Sequence, residues 1–103
     1  MSFFTMLEFT AHDGDGKRFA DLHIERRCVE EAAETIPGFL HGETMLSKDD
    51  PAKVLVMCTW ENEQAYQQWL DSPVRAKQTE DLIHKVSVDA KTTMFTSIHI
   101  VTK

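Results

Sequence analysis

The chain predicts an α+β fold of the ferredoxin-like kind, with the order βαββαβ, a four-stranded antiparallel sheet and helices on one face. Three observations carry that prediction. Apolar residues recur at every second position, then shift to a helical stripe, and do so twice along the chain. Lys53–Trp60 is rich in β-branched residues and apolar on both of its faces, the signature of a central strand covered front and back. The turn signals His12–Gly16, Pro37-Gly38, Ser47–Pro51 and Ser72-Pro73 fall between these stretches and set their order.

Ser2–Ala11 reads as the first strand, with Phe3, Leu7 and Phe9 on one face and Phe4 and Met6 on the other. His12–Gly16 is a turn in which Asp13 or Asp15 caps the following helix. Its DGDG run is not a calcium loop. With Gly16 at the sixth loop position, Ala11 and Leu22 would fall where carboxylates must ligate. Lys17–Ile36 is predicted as one long helix, with Phe19, Leu22, Val29, Ala32, Ala33 and Ile36 along its apolar side. Pro37-Gly38 stops it.

Phe39–Leu46 and Lys53–Trp60 then form two strands joined by the charged run Ser47–Pro51. In the second of them Val54, Val56, Cys58 and Trp60 point one way, and Leu55, Met57 and Thr59 the other. Glu61 or Asn62 caps a short helix that reaches about Asp71, with Ala65, Tyr66, Trp69 and Leu70 on its inner side. Ser72 as cap and Pro73 at the first helical position open another helical segment, whose apolar side is Val74, Leu82, Ile83 and Val86. Ser87–Lys91 reads as a polar connection and Thr92–Val101 as the last strand. In it Met94, Ile98 and Ile100 share one face, and Phe95, His99 and Val101 the other.

Helices cover one face of such a sheet. The opposite face of strands one, three and four nevertheless keeps large apolar groups, where a soluble monomer would alternate to polar residues. A homodimer with its two sheets packed face to face follows from that burial requirement.

The 103 residues are expected to form a single domain over 1–103. Eleven Lys and Arg against seventeen Asp and Glu give a net charge of −6, which repels a nucleic-acid backbone. No apolar run is long enough to span a membrane, and Met1-Ser2-Phe3-Phe4 opens without the cationic region of a signal peptide. Cys28 and Cys58 have no CxxC spacing and read as small buried hydrophobes, in keeping with a reducing, cytoplasmic setting. Nucleotide-binding and serine-hydrolase motifs are absent from the sequence.

Pro37-Gly38-Phe39, the strand pair, Trp60-Glu61, Glu63, Ala65-Tyr66, Trp69 and Ser72-Pro73, taken in order and spacing, resemble the antibiotic biosynthesis monooxygenase family. The resemblance runs over about Phe3 to Val101. It implies a dimeric α+β barrel and a ligand pocket in each protomer between sheet and helices. It also implies a choice of chemistries, since some members oxygenate polyketide phenols or quinols without metal or flavin, others cleave haem, and some are isomerases. Haem-degrading members share an Asn, Trp and His triad. Trp69 matches the tryptophan, whereas Gln78 or Thr79 stands at the histidine and Met6 or Leu7 at the asparagine. His84, about a turn and a half further on, is the nearest replacement donor.

The resulting expectation is a cofactor-independent monooxygenase that brings molecular oxygen to a small aromatic, phenolic or quinol-type substrate. A haem-binding or haem-degrading protein and a non-catalytic ligand-binding dimer are the alternatives. Oxygenation without a cofactor needs an apolar cage, a hydrogen-bond anchor and a base with a pKa near neutrality. Trp69 and Tyr66, on the sheet-facing side of the helix after the strand pair, are the candidates for cage and phenolic anchor, though each also reads as a core aromatic. His41 is the first candidate base, placed by alternation on the face of Phe39, Glu43 and Met45, with the pocket or the dimer seam as its two destinations. The histidines show neither HxH nor HExxH spacing, so no built-in metal site is expected. Trp60 reads as a packing anchor, and Arg75 as a solvated helix charge or a contact for an anionic substrate group.

Overall fold

The computed structural model describes residues 2–103; Met1, the first residue of the predicted domain, lies outside them. The elements are β1 (Phe3–Ala11), α1 (Gly16–Glu25), α2 (Cys28–Thr35), β2 (Phe39–Leu46), β3 (Lys53–Trp60), α3 (Glu63–Leu70), α4 (Pro73–Ile83) and β4 (Val88–Thr96). All three strand pairings are antiparallel, in the sheet order β2-β3-β1-β4. The predicted ferredoxin-like topology is the observed one.

Local chemistry starts and stops these elements. Asp15, of the two acids offered by the first turn, caps α1 by accepting from the Arg18 amide at 3.0 Å, while Asp13 accepts from the Asp15 amide at 2.9 Å. Asn62 rather than Glu61 caps α3, accepting from the Ala65 amide at 2.9 Å. Ser72 caps α4 through the Val74 amide at 3.1 Å, with Pro73 behind it. Gly38 sits where a β-carbon would lie 2.6 Å from that of Ala65, so the missing side chain lets α3 settle against the turn.

Three departures from the sequence reading shape the interior. The predicted Lys17–Ile36 helix is two helices, broken at Arg26-Arg27, where Arg27 adopts a left-handed φ of 61°. The buried positions Phe19, Ala20 and His23 are followed only five residues later by Cys28, then Ala32 and Ile36, a skip that one straight helix cannot place on a single face. The break is held by Arg26, whose guanidinium reaches Asp81 of α4 at 2.9 Å and Glu31 of α2 at 2.8 Å. The last strand begins four residues before the predicted Thr92 and ends at Thr96, not Val101. Val88-Asp89-Ala90-Lys91 alternates after all, pairing in register from Ala11↔Val88 to Phe3↔Thr96. Residues 97–103 carry no strand, and Ile98 is 89 % exposed. Finally, β2 pairs Phe39 with Trp60 but His41 with Thr59, so Leu40 is an extra residue in a β-bulge.

The helix side of the sheet holds the core. Phe3, Val56, Cys58 and Trp60 pack against Ala32 and Ile36 of the α2 region and Ala65 and Trp69 of α3, while Val54 meets Phe19 and Ala20 of α1. Phe39 meets Trp60 edge-on at 5.3 Å. The other side has no covering layer among the described residues. On it lie Phe4, Met6, Leu55 and Met57, all half-buried, with Met45 and Phe95 exposed. Charged groups rim this patch, including the Lys53–Glu8 pair at 3.3 Å. No helix among the described residues is long and apolar enough to cross a membrane.

Candidate active site

Helices α1 to α4 do not seal the sheet completely. Between them and strands β1, β3 and β4 lies a cavity of about 600 Å³. Its floor includes Thr5, Leu7 and Phe9 of β1, Val56 and Cys58 of β3, and Thr92 of β4. The cavity is open along β4, where every residue from Asp89 to Thr96 is exposed. A space of this size, mostly apolar with few polar groups, suits one small organic ligand.

Two of the three sequence-predicted site residues meet here. Tyr66 and Trp69 both project from α3 into the wall, held from behind by packing. The Tyr66 ring lies 5.6 Å from Trp60 and 5.9 Å from Phe3. Burial raises the Tyr66 phenol above its ordinary pKa of 10.0, against the opposing pull of the Arg75 charge and the Thr92 hydroxyl. At neutral pH the phenol keeps its proton and serves as a donor, not a base. The two tryptophans differ in kind. Trp60 is 1 % exposed and its indole N–H is spent on the Thr5 hydroxyl at 3.1 Å, as befits a packing anchor. Trp69 has no hydrogen-bond partner for its indole among the described residues, and it faces the cavity. Arg75, at the start of α4, adds a cation to the same wall.

His41 is not brought to this site. The bulge at Leu40 breaks the alternation that placed it beside Phe39, so Phe39 enters the core while His41 turns to the helix-free face. There its Nε2 lies 3.1 Å from Glu43 Oε2, both groups exposed. His12 is tied to Ser87 and Asp89 near the β1–β4 edge. The histidine that does line the cavity is His23, which was not among the candidate bases. It is 8 % exposed, packs against the touching Phe9 and Phe19 rings at 5.8 and 5.7 Å, and burial pushes its pKa down to about 4. The signal that would have found it is the spacing Phe19, Ala20, His23, one face of a helix that ends before Arg26.

Gln78 is a second residue with an unforeseen part. Buried under α2, its amide donates to the Cys28 carbonyl and to Glu31 Oε1, each at 3.0 Å. Together with Arg26 and Asp81 it clasps α4 onto α2 and fixes the cavity roof. Those bonds hold the Glu31 carboxylate below its usual pKa, the Gln78 amide contributing most. The cavity thiols are inert: burial raises Cys28 to about 12 and Cys58 to about 11.

The donor set does not fit haem as the haem-degrading pattern requires. Gln78, at the position of the axial histidine, is committed to the clasp, and Thr79 donates to the Arg75 carbonyl at 3.3 Å. At the asparagine position Leu7 faces the cavity and Met6 the opposite side. His84 caps the end of α4 and is exposed.

A family model described as antibiotic biosynthesis monooxygenase matches residues 2–78. No curated protein matches the chain in sequence. Among solved structures, SnoaB, a cofactor-independent oxygenase from Streptomyces nogalater, is similar with a TM-score of 0.77 at 16% identity, covering 99% of this chain and 98% of its own. A monooxygenase from Streptomyces coelicolor, solved in complex with nanaomycin D, gives 0.73 at 21% identity, with 99% and 92% covered. Rv0793 from Mycobacterium tuberculosis gives 0.74 at 9% identity, with 99% and 100% covered. At such identities the likeness establishes a shared fold.

Proposed function

The chain belongs to the antibiotic biosynthesis monooxygenase family, and on that premise we propose that it is a cytoplasmic, homodimeric, single-domain monooxygenase. Its substrate is a small aromatic, phenolic or quinol-type molecule, and it works without metal, flavin or haem. The observation that carries the reading is the apolar cavity of about 600 Å³ with Tyr66, Trp69 and Arg75 placed along one wall.

Such a substrate supplies its own electrons. Loss of the hydroxyl proton moves charge onto a ring carbon that bears hydrogen, and that carbon bonds dioxygen. The hydroperoxide then loses water and leaves a carbonyl, so phenol and dioxygen become quinone and water, one oxygen atom in each. The protein's part is to favour the anion and hold its ring against apolar walls. The Arg75 cation and the Tyr66 hydroxyl are placed to stabilise a phenolate oxygen, and the Trp69 N–H adds a donor beside the ring. With the anion stabilised, solvent at the open β4 side accepts the proton. His41 has no part in this step; with Glu43 it belongs to the dimer seam, beside Met45, Leu55, Met57, Met6, Phe4 and Phe95. That apolar face supports the homodimer, because a patch of this kind on a lone soluble sheet is costly in water.

The test is oxygen uptake with quinols and dihydroxynaphthalenes by metal-free protein in the presence of a chelator. The expected result is one dioxygen per substrate, with no oxygen returned by catalase. Uptake no faster than the protein-free blank across the panel overturns the proposal.

A further inference from the structure

The geometry points to His23 as the hydrogen-bond donor for a second oxygen atom of the substrate, at the opposite side of the cavity from Tyr66 and Arg75. The inference rests on the cavity being the substrate site.

His23 lines the large cavity and also a smaller one of about 320 Å³, whose walls include Val29 of α2 and Gly42 and Thr44 of β2. It is thus a partition between them, kept in place by Phe9 and Phe19. Its Nδ1 is closed off from solvent and has no hydrogen-bond partner among the described residues. Orphaned buried nitrogens are rare, and an aliphatic side chain would fill the same space without one. A packing role therefore does not account for a histidine here.

The closed nitrogen also decides which way the ring is protonated. A neutral imidazole has one N–H and one lone pair. Sealing the N–H without an acceptor is the costlier arrangement, since orphaned buried donors are the rarer kind. The lone pair accordingly falls on Nδ1 and the proton on Nε2, the nitrogen that is not closed off. With only the Glu30 charge acting from α2 to favour protonation, the ring stays neutral, and a neutral imidazole in an apolar wall gives a hydrogen bond without carrying a charge. Its natural acceptor is a carbonyl or hydroxyl oxygen.

The Tyr66 ring packs on Trp60 and Phe3 with its hydroxyl beside Thr92 of β4, whereas His23 stands over Phe9 of β1 and reaches toward β2. Thr92 pairs with Leu7 of the adjacent β1 and Phe9 is two residues further along, so the two lie one strand spacing across and two residues along the sheet from each other, roughly 8 Å. A substrate that engages both carries its acidic hydroxyl at one edge and an acceptor oxygen at the far edge. Recognition of that second oxygen selects against molecules lacking it, because the N–H is then left unpaired.

The test compares two probes under argon, 1,5-dihydroxynaphthalene and 1-naphthol, by quenching of tryptophan fluorescence. The wild-type protein is expected to prefer the diol by about tenfold, the worth of one hydrogen bond in a dry site. His23→Leu should bring the ratio close to one, and His23→Gln, which keeps an N–H near the same place, should restore most of it. Nitrogen-15 spectra of the wild-type protein, which do not depend on any variant folding, should show the Nε2–H tautomer and an Nε2 shift on adding the diol. An unchanged preference in His23→Leu, an Nδ1–H tautomer, or equal binding of both probes by the wild type overturns the assignment alone. Failure of the wild type to bind either probe overturns the cavity reading and this assignment with it.

Discussion

Lowering the pH from 7 to 5 should destabilise this protein through His23. The group ordinarily has a pKa of 6.5 and is held at about 4 in the folded state, mainly by burial, with Glu30 opposing. The neighbouring Cys28 thiol, raised to about 12, stays uncharged throughout. Because the folded pKa is depressed, the unfolded chain binds the proton first. The stability is full above pH 6.5 and is lost as the pH falls toward 4. A gap of about 2.5 pKa units is worth about 3 kcal/mol in total, of which about 2 kcal/mol is gone by pH 5. For a domain of this size that is a fall in Tm of roughly 8–16 °C. Urea unfolding at pH 7 and pH 5, at fixed protein concentration, reads it directly. The His23→Leu variant lacks the titration, so between those pH values the wild type should lose about 2 kcal/mol more than the variant. Exposed carboxylates and the other histidines are common to both proteins and cancel in the difference. Equal losses would show that His23 ionises freely in the native state, and the argument from its burial would fail.

Three further outcomes are expected. Replacing Leu55 and Met57 with lysine puts two charges into the helix-free face and should convert a dimer to a monomer at micromolar concentration in sedimentation; a wild-type protein already monomeric there would refute the seam. Trp69→Phe should lower kcat/KM for oxygen uptake by about tenfold while His41→Ala leaves it within about twofold, and the reverse ranking would return the base to β2. Gln78→Leu should cost about 1–3 kcal/mol in urea unfolding, because Glu31 and the Cys28 carbonyl lose their shared donor, and no loss would mean that α4 is held without the clasp.

What the sequence made legible is what regular repetition makes legible. Val54, Val56, Cys58 and Trp60 alternate without interruption, and β3 has the predicted limits and faces. The Ser72-Pro73 start of α4 is a local signal with a local cause, and Ser72 caps as expected. Tyr66 and Trp69 share a helical face with Ala65, which is enough to aim them at the sheet. Besides the misplaced limits of β4, prediction failed at two points where one residue departs from the repeat. Arg27 takes a left-handed conformation that an arginine does not advertise, and Leu40 is added to β2 with nothing in Phe39–Leu46 to mark it. Each departure moved a histidine: the bulge took His41 away from the interior, and the helix break brought His23 into it.

The helix break also explains why there is a cavity at all. An unbroken helix over Lys17–Ile36 would be about 30 Å long and could lie on the sheet along one line only. Broken at Arg27, the segment covers the sheet with two short helices, α1 against Phe9 and Val54 and α2 against Cys58 and Trp60, and the space between their lines of contact is left unfilled. The clasp of Arg26, Glu31, Gln78 and Asp81 keeps α4 from collapsing into that space by tying it to α2 from outside. The polar network around the helix break therefore does for the cavity what close packing does elsewhere in the core. Weakening it should loosen ligand binding even though none of Arg26, Glu31 or Asp81 lines the space.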